Sequence, residues 1–217
     1  MALQKLQFNL LSKEDMLTRS KSFLSNIKLR RSVRHFSDKD CSIDLITNAI
    51  KSASMAPSGA NKQPWHFVVV RDLIIKKEIR SAAEEEERNF YNYRATDEWL
   101  KDLEPFETDW SKPFLEKAPY LIVVFKKQYD FSDSKKKKNY YVNESVGIAV
   151  GFLLNALHCS GLVALTHTPS PMGFLEKILK RPKNERAFML IPAGYPIENV
   201  RVPKIQKKSF KKICNII

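Results

Sequence analysis

A cluster of cationic and hydroxyl side chains near the start of the sequence is the clearest candidate for chemistry. It consists of Arg30, Arg31, Ser32 and Arg34. In an extended segment alternate side chains point the same way, so Arg30, Ser32 and Arg34 can converge on one anion while Arg31 faces elsewhere. Arginine presents a planar fork of donors that matches phosphate oxygens, and a serine hydroxyl adds a hydrogen bond. The cluster is therefore a candidate phosphate site, and a plain basic surface patch is the alternative.

A second candidate group combines a carboxylate, a phenol and an ammonium. Glu87 ends a run of four glutamates, and Tyr91, four residues later, shares its face of a predicted helix. Lys112 reaches them only if the segment between folds back as a flap. The three groups suit the zwitterion of an amino acid, with Glu87 bonding its ammonium and Lys112 and Tyr91 bonding its carboxylate. The alternative is an ordinary solvated helix face.

Composition bounds the class of protein. The 217 residues are 43% hydrophobic and can bury one core, so we expect a single domain over residues 1–217. The formal net charge is +13, yet no known nucleic-acid-binding motif accompanies the lysines, so we expect no nucleic-acid partner. We interpret the tract Lys135–Lys138 as a surface loop. No apolar run approaches the roughly 20 residues of a membrane span, so we expect a cytoplasmic protein with no membrane partner.

The metal-ligating residue types are scattered. Cys41, Cys159 and Cys214 lie far apart, and no histidines form a pair at helical spacing. This spacing fits neither a disulfide framework nor a zinc site, so we predict no metal. Cys159 lies in an apolar stretch and is expected in the core.

The elements that must position these groups alternate between helices and strands, which predicts an α+β fold. Helices are expected at residues 13–26, from 42 to just before 57, and at about 73–91. Strands are expected at residues 65–70, 120–125, 162–166 and 186–193.

The stretch from Tyr141 to Ser160 is apolar on nearly every side. This pattern predicts a central helix that is buried all round. Gly147 and Gly151 share one face, where their small size suits helix packing, a dimer seam or the close approach of a flavin-sized ring.

The order of these motifs resembles that of the nitroreductase superfamily. The resemblance covers residue 28 to the end, and it rests on the arginine cluster, Ala56–Ala60, Gln63–Trp65, the buried helix and Gly194–Pro196. It looks closest to the iodotyrosine deiodinase branch, because the glutamate run with Tyr91, Trp99, Trp110 and Lys112 is similar to that branch's substrate lid.

This resemblance implies a nitroreductase-like fold, in which helices flank a central mixed, mainly antiparallel sheet. It implies a substrate lid at about residues 88–112. It also implies an intertwined homodimer whose C-terminal tail, about residues 202–217, embraces the partner subunit.

The resemblance further implies FMN as the cofactor. Its phosphate would be held by the arginine cluster. Members of the family have a further arginine near the C-terminus for the same phosphate; the matching residue here is Lys207, which lacks the bidentate fork. Pro57, Ser58 and Gly59 would line the flavin ring from the partner subunit, and the Ala60 backbone N–H would meet the substrate phenolate.

The resemblance also implies that residues 166–168 bind the flavin. Thr166 and Thr168 match family positions that approach the flavin. We place the Thr166 hydroxyl near the flavin N5, where it would favour single-electron steps. His167, between the two threonines, departs from the expected pattern but belongs to the same cofactor-binding segment.

Three functions are compatible with these observations. The first, implied by the resemblance, is reductive dehalogenation of halotyrosines by reduced FMN, with NAD(P)H or a separate reductase as the electron source. The second is reduction of nitroaromatics or quinones by hydride transfer in a broad pocket, which a failed zwitterion grip would favour. The third is a non-enzymatic basic module, which would be colourless and would bind polyanions with a steep salt dependence.

Overall fold

The computed structural model describes residues 3–132 and 135–217, and the chain divides into two compact units, Met1–Arg31 and Ser32–Ile217. The first unit contains helix α1, Lys13–Leu29, and none of its side chains is buried. The Ser12 hydroxyl caps this helix by accepting a hydrogen bond from the Asp15 N–H at 3.1 Å. The helix predicted at 13–26 is confirmed, whereas the single domain over residues 1–217 stays a prediction.

The second unit is built on a four-stranded sheet. Every neighbouring pair is antiparallel, and Ser32 adds an isolated parallel bridge to Ala164, so the predicted mixed, mainly antiparallel sheet is confirmed. Alternate residues of the inner strand Tyr120–Lys127 face two separate apolar clusters, which is why its whole apolar run is buried. From one edge of the sheet to the other, the strands are β1 (Trp65–Val70), β2 (Tyr120–Lys127), β6 (Glu185–Gly194) and β5 (Val163–Ala164).

Strand β5 is shorter than the predicted 162–166. After Ala164 the ladder is incomplete, because Leu165 faces Pro192 and a proline has no N–H to donate. Pairing resumes at His167, whose N–H and carbonyl both bond Leu190 at 2.9 Å. The predicted continuous strand is wrong in this detail.

Six α-helices lie in the described part of the second unit. They are α2 (Ile43–Ser54), α3 (Leu73–Asn89), α4 (Asp97–Leu103), α5 (Phe114–Lys117), α6 (Val142–Cys159) and α7 (Gly173–Ile178). The two predicted helices that begin near 42 and 73 are confirmed. The second of them ends at Asn89 and continues as a π-helical turn, Phe90–Arg94, instead of running on to Tyr91.

Helix α6 is not buried all round, so that prediction is wrong. Val146, Ala149 and Leu153 pack in the core, but Ile148 and Phe152 are each 42% exposed. The reason is that only one face of the helix meets the core of its own chain, although its residues are apolar on both sides. Cys159, expected in the core, is exposed at the end of the same helix.

By length and composition α6 could also cross a membrane. Its mean hydropathy over 18 residues is 1.2, and no other helix of the described residues meets both the length and the hydropathy that a membrane span requires. Its inner face is packed in the apolar core, as is usual for a core helix of this composition.

The tract Lys135–Lys138 is a strand, β4, and the predicted loop is therefore wrong. It pairs antiparallel with β3, Tyr129–Ser132, in a two-stranded ribbon. The Lys136 ammonium lies 4.8 Å from the centre of the Tyr129 ring, so a cation–π contact helps to hold this basic strand against its neighbour.

Candidate active site

One cavity of about 320 Å³ brings together predicted residues from distant parts of the second unit. The predicted site residues in its wall are Arg34, Glu87, Tyr91, Lys112, Thr166, His167 and Thr168. Trp99, already part of the resemblance to a substrate lid, also lies in the wall. Phe90, Leu103 and Phe114 add apolar surface that no motif had singled out. A cavity with aromatic walls and a few charged groups suits an aromatic ligand with an ionic end.

The segment 88–112 folds back over α3 and forms one wall of the cavity. The Tyr91 hydroxyl donates a hydrogen bond to the Thr108 carbonyl at 2.9 Å. The Phe90 and Trp99 rings meet edge to face with their centres 4.9 Å apart, and the Arg88 guanidinium lies 4.1 Å from the centre of the Trp110 ring. The segment therefore has the flap geometry that the predicted role of the lysine at 112 requires.

Glu87 and Lys112 form a buried ion pair in this cavity. The Lys112 ammonium lies 3.1 Å from Glu87 Oε2, and the two side chains are only 4% and 13% exposed respectively. The same ammonium also donates hydrogen bonds to the Asp109 carbonyl and the Thr108 hydroxyl. Burial raises the pKa of the Glu87 carboxyl, and the attraction of Lys112 only partly opposes this shift.

The charges of this ion pair are complementary to those of an amino-acid zwitterion: Glu87 is an anion for the ligand ammonium, and Lys112 is a cation for the ligand carboxylate. A ligand ammonium can replace Lys112 at Glu87 while the ligand carboxylate replaces Glu87 at Lys112. The exchange leaves no buried charge without a partner, whereas a ligand with only one charge would strand either the acid or the amine. Burial also raises the pKa of the Tyr91 phenol, which keeps it neutral. Its single O–H donates to the Thr108 carbonyl, so it has to turn away from that carbonyl to donate to the carboxylate of a ligand.

We expect the affinity for the halotyrosine that the resemblance implies to fall in acid, starting at a higher pH than an exposed glutamate would need. Glu87 bonds the ligand ammonium only as a carboxylate, and its raised pKa means that it is protonated earlier as the pH falls. Ligand titrations followed by flavin fluorescence, from neutral pH downwards, measure this loss. The variant Glu87→Gln is the control, because any pH dependence left in it belongs to the ligand; equal pH profiles for both proteins would contradict the assignment.

His167 is a neutral hydrogen-bonding group in the wall of the cavity. Burial lowers its pKa to about 3, and the nearby cations Lys112 and Arg34 act in the same direction. Its ring packs edge to face on Phe114, and its Nε2 is buried without a hydrogen-bond partner within the described residues. A ligand that supplies this partner would recover the cost of the unpaired nitrogen, about 1–3 kcal/mol. On either side of it, Thr166 and Thr168 are exposed.

Arg34 is a half-buried cation between this cavity and a second one of about 350 Å³. Burial lowers the pKa of its guanidinium, and no carboxylate of the described residues forms an ion pair with it. Its contact is instead the ring of Phe106, at 5.9 Å from the ring centre. A cation without a counter-charge and an orphaned nitrogen beside an aromatic-lined cavity fit a cofactor with a phosphate and a flat ring.

The second cavity contains Ser32 together with Arg34, as the predicted phosphate cluster requires. It also contains Arg201, which the sequence reasoning missed because this arginine belongs to no motif. Lys207, the predicted late cation, is exposed in the C-terminal segment and is not among the residues of this wall. Its contact with the phosphate stays a prediction.

The remaining predicted residues lie elsewhere in the chain. Arg30 follows α1 in an extended conformation, and Arg31 comes next; both belong to the first unit. The segment Pro57–Ala60 is not part of the wall of the first cavity. Within the described residues, no group of three or more histidines, cysteines or acids could hold a metal ion.

The turn that follows Pro57 is a specific structure. Ala60 has a positive φ of 50°, and the Ser58 hydroxyl accepts a hydrogen bond from the Gln63 N–H at 2.9 Å. A Cβ atom on Gly59 would lie 2.8 Å from the Tyr141 ring, so a larger residue at this position would force the ring or the turn to shift. The turn is thus held in one shape, which a segment that lines a partner's ligand would need.

Comparisons with known proteins point to one family. A sequence profile described as the nitroreductase family matches residues 27–195. An iodotyrosine deiodinase from Haliscomenobacter hydrossis is 60% identical over 196 residues, which cover 90% of this chain and 88% of that protein. Iodotyrosine deiodinase 1 from Homo sapiens is 43% identical over 202 residues, which cover 92% of this chain and 70% of the human protein. A crystal structure of oxidized iodotyrosine deiodinase bound to FMN and 3-iodo-L-tyrosine matches with a TM-score of 0.76 and 33% identity, covering 87% of this chain and 96% of that one.

Proposed function

Because the chain belongs to the nitroreductase family and is similar to iodotyrosine deiodinases along most of its length, we propose that it is an FMN-dependent enzyme that removes halogen reductively from halotyrosines. The observation that carries this proposal is the buried Glu87–Lys112 pair beside Tyr91, in a cavity with aromatic walls. A nitroaromatic or a quinone has no ammonium and carboxylate with which to exchange these charges.

The residues of this chain hold, orient and shield the substrate. Glu87 takes the ammonium, Lys112 and Tyr91 take the carboxylate, and the folded-back segment 88–112 excludes water from the ring. Bound FMN, once reduced by the electron source, would supply two electrons; the ring carbon would gain a proton and the halogen would leave as halide.

The cofactor itself has a defined set of candidate ligands. Arg34 and Ser32 would bond its phosphate, with Arg30, Arg31 and Lys207 as further cations. The side of the flavin would meet the segment Thr166–Thr168, where the exposed hydroxyls and the orphaned His167 nitrogen offer hydrogen bonds.

A ligand titration tests this function. The purified yellow protein should lose flavin fluorescence on addition of iodotyrosine at far lower concentrations than on addition of tyrosine. On reduction it should then release iodide in proportion to the iodotyrosine consumed. A protein that reduced nitroaromatics but neither bound iodotyrosine nor released iodide would be a nitroreductase instead.

We also propose that the enzyme acts as a homodimer in the cytoplasm. The exposed apolar residues Ile148 and Phe152 of α6, together with Ile205, Phe210 and Ile213 of the tail, support a second copy of the chain as their cover. In such a dimer Pro57–Ala60 would complete the flavin site of the partner, with the Ala60 N–H at the substrate phenolate. The electron source we propose is NAD(P)H or a separate reductase.

Thr166→Ala should shift the enzyme from dehalogenation toward nitro reduction, by about fivefold in the ratio of the two rates. The reason is that a neutral hydrogen bond near the flavin N5, worth about 1 kcal/mol, would no longer favour single-electron steps. Halide release and nitroaromatic reduction, measured on the same preparation, give this ratio. Thr168→Ala is the matched control, and a shift in this variant alone would move the role to Thr168.

A further inference from the structure

Helix α3 holds Lys112 at two points. The Lys112 backbone N–H donates a hydrogen bond to Glu84 Oε1 at 2.7 Å, whereas the ammonium of the same lysine pairs with Glu87. Glu84 lies three residues before Glu87, so the two carboxylates project from the same side of the helix. Their combined effect is to fix both the main chain and the side-chain tip of the lysine that ends the folded-back segment.

Glu84 is itself held in place by arginines. The Arg80 Nε donates to Glu84 Oε1 at 2.7 Å, the Arg80 Nη1 reaches Glu116 at 3.1 Å, and the Arg88 Nη2 lies 3.8 Å from Glu84 Oε2. Burial alone would raise the pKa of the Glu84 carboxyl. The bonds from Arg80 and from the Lys112 N–H outweigh burial and lower it, so the acceptor stays ionised at neutral pH.

Binding of a zwitterion affects these two points differently. In the proposed exchange, Glu87 releases the Lys112 ammonium and takes the ammonium of the ligand. The bond from the Lys112 N–H to Glu84 involves neither of these charges, so it can persist throughout. Without it, the lysine would lose its direct connection to α3 at the moment when it has to meet the ligand carboxylate.

We propose that Glu84 is a positioning residue for substrate recognition, which keeps the Lys112 main chain on α3 while Glu87 changes partner. This inference rests on the proposed function and adds to it a residue that touches neither the substrate nor the flavin. Glu84 acts by keeping the segment that closes the cavity ordered, and it takes no part in the chemical step.

Glu84→Ala should therefore raise the KM for halotyrosine about tenfold, the loss expected for one hydrogen bond to a charged acceptor. Turnover at saturation and FMN content should stay unchanged. Glu84→Gln keeps an oxygen acceptor and should recover most of the affinity. Glu85→Ala, which alters an exposed neighbour on the same helix, is the matched control. If FMN content and turnover fell in Glu84→Ala while KM rose, the role of Glu84 would be purely structural and the proposal would be overturned.

Hydrogen exchange provides a readout that does not depend on the ligand. In the FMN-loaded protein, the Lys112 amide should be protected in the wild type, in Glu84→Gln and in Glu85→Ala, and should exchange faster in Glu84→Ala. Equal exchange in all four proteins would overturn the inference. A wild type that binds no halotyrosine would overturn the proposed function, whereas a wild type that binds it and a Glu84→Ala variant with the same KM would overturn only the role of Glu84.

Discussion

Glu87→Gln weakens halotyrosine binding by about 100-fold, because breaking a buried charge pair by removal of one partner costs several kcal/mol. The variant leaves the Lys112 ammonium buried without its carboxylate, and it offers the ligand ammonium only a neutral amide. Lys112→Ala has a similar effect for the opposite charge. Quenching of flavin fluorescence by the ligand measures both losses, and FMN stays bound in both variants because neither residue is a candidate phosphate ligand.

The double variant adds a sharper test of the exchange of partners. If Glu87 and Lys112 act as one recognition unit, the two losses are less than additive. A halotyrosine analogue without its ammonium should bind the wild type poorly. In Glu87→Gln, the analogue and halotyrosine should bind with about equal affinity. Glu85→Gln, on the exposed face of the same helix, is the control for net charge. Undiminished halotyrosine affinity in both single variants would refute the zwitterion grip.

Arg34→Met lowers the affinity for FMN by about 100-fold, since hydrogen bonds between ionised groups contribute about 1.5–3 kcal/mol. Methionine keeps an apolar stem beside Phe106 and removes the charge. Arg34→Lys keeps the charge without the planar fork, so its loss should be smaller, about tenfold. Titration of free FMN with the apoprotein, followed by the loss of FMN fluorescence, measures each affinity.

The thermal stability of the apoprotein distinguishes cofactor binding from a folding defect. Arg34 is a half-buried cation without a carboxylate partner among the described residues, so its removal should not lower the melting temperature of the apoprotein. Arg71→Met, at an exposed arginine that pairs with Asp40 at 3.3 Å, is the control and should bind FMN normally. Normal FMN affinity in Arg34→Met, or a loss that merely follows unfolding, would remove Arg34 from the phosphate site.

Much of the fold could be predicted from the sequence because local patterns determine it. The apolar run at 120–125 predicts a strand, and the helical spacing of apolar residues at 13–26 and from 42 onward predicts two helices, each from neighbouring residues alone; the structure confirms them. Motif order likewise brought Glu87 and Lys112 into one hypothesis, although no local rule explains how the segment between them folds back.

The predictions that failed depend on information outside the local pattern. Apolar residues on every side of α6 do not reveal which face meets the core of its own chain. A lysine tract reads as a loop until an aromatic partner such as Tyr129 is known to lie across from it. The hydrogen bond that Glu84 accepts from the Lys112 backbone N–H could not be predicted from residue types, because every residue except proline has such a group.

The burial of the Glu87–Lys112 pair separates ligand recognition from the electrostatics of the rest of the chain. The net charge of +13 acts mainly through exposed lysines and arginines, whose fields are screened over about 8–10 Å at physiological ionic strength. A pair that is almost fully enclosed is screened far less. Salt in the medium should thus change how this protein behaves toward other macromolecules much more than it changes which small molecule the cavity selects.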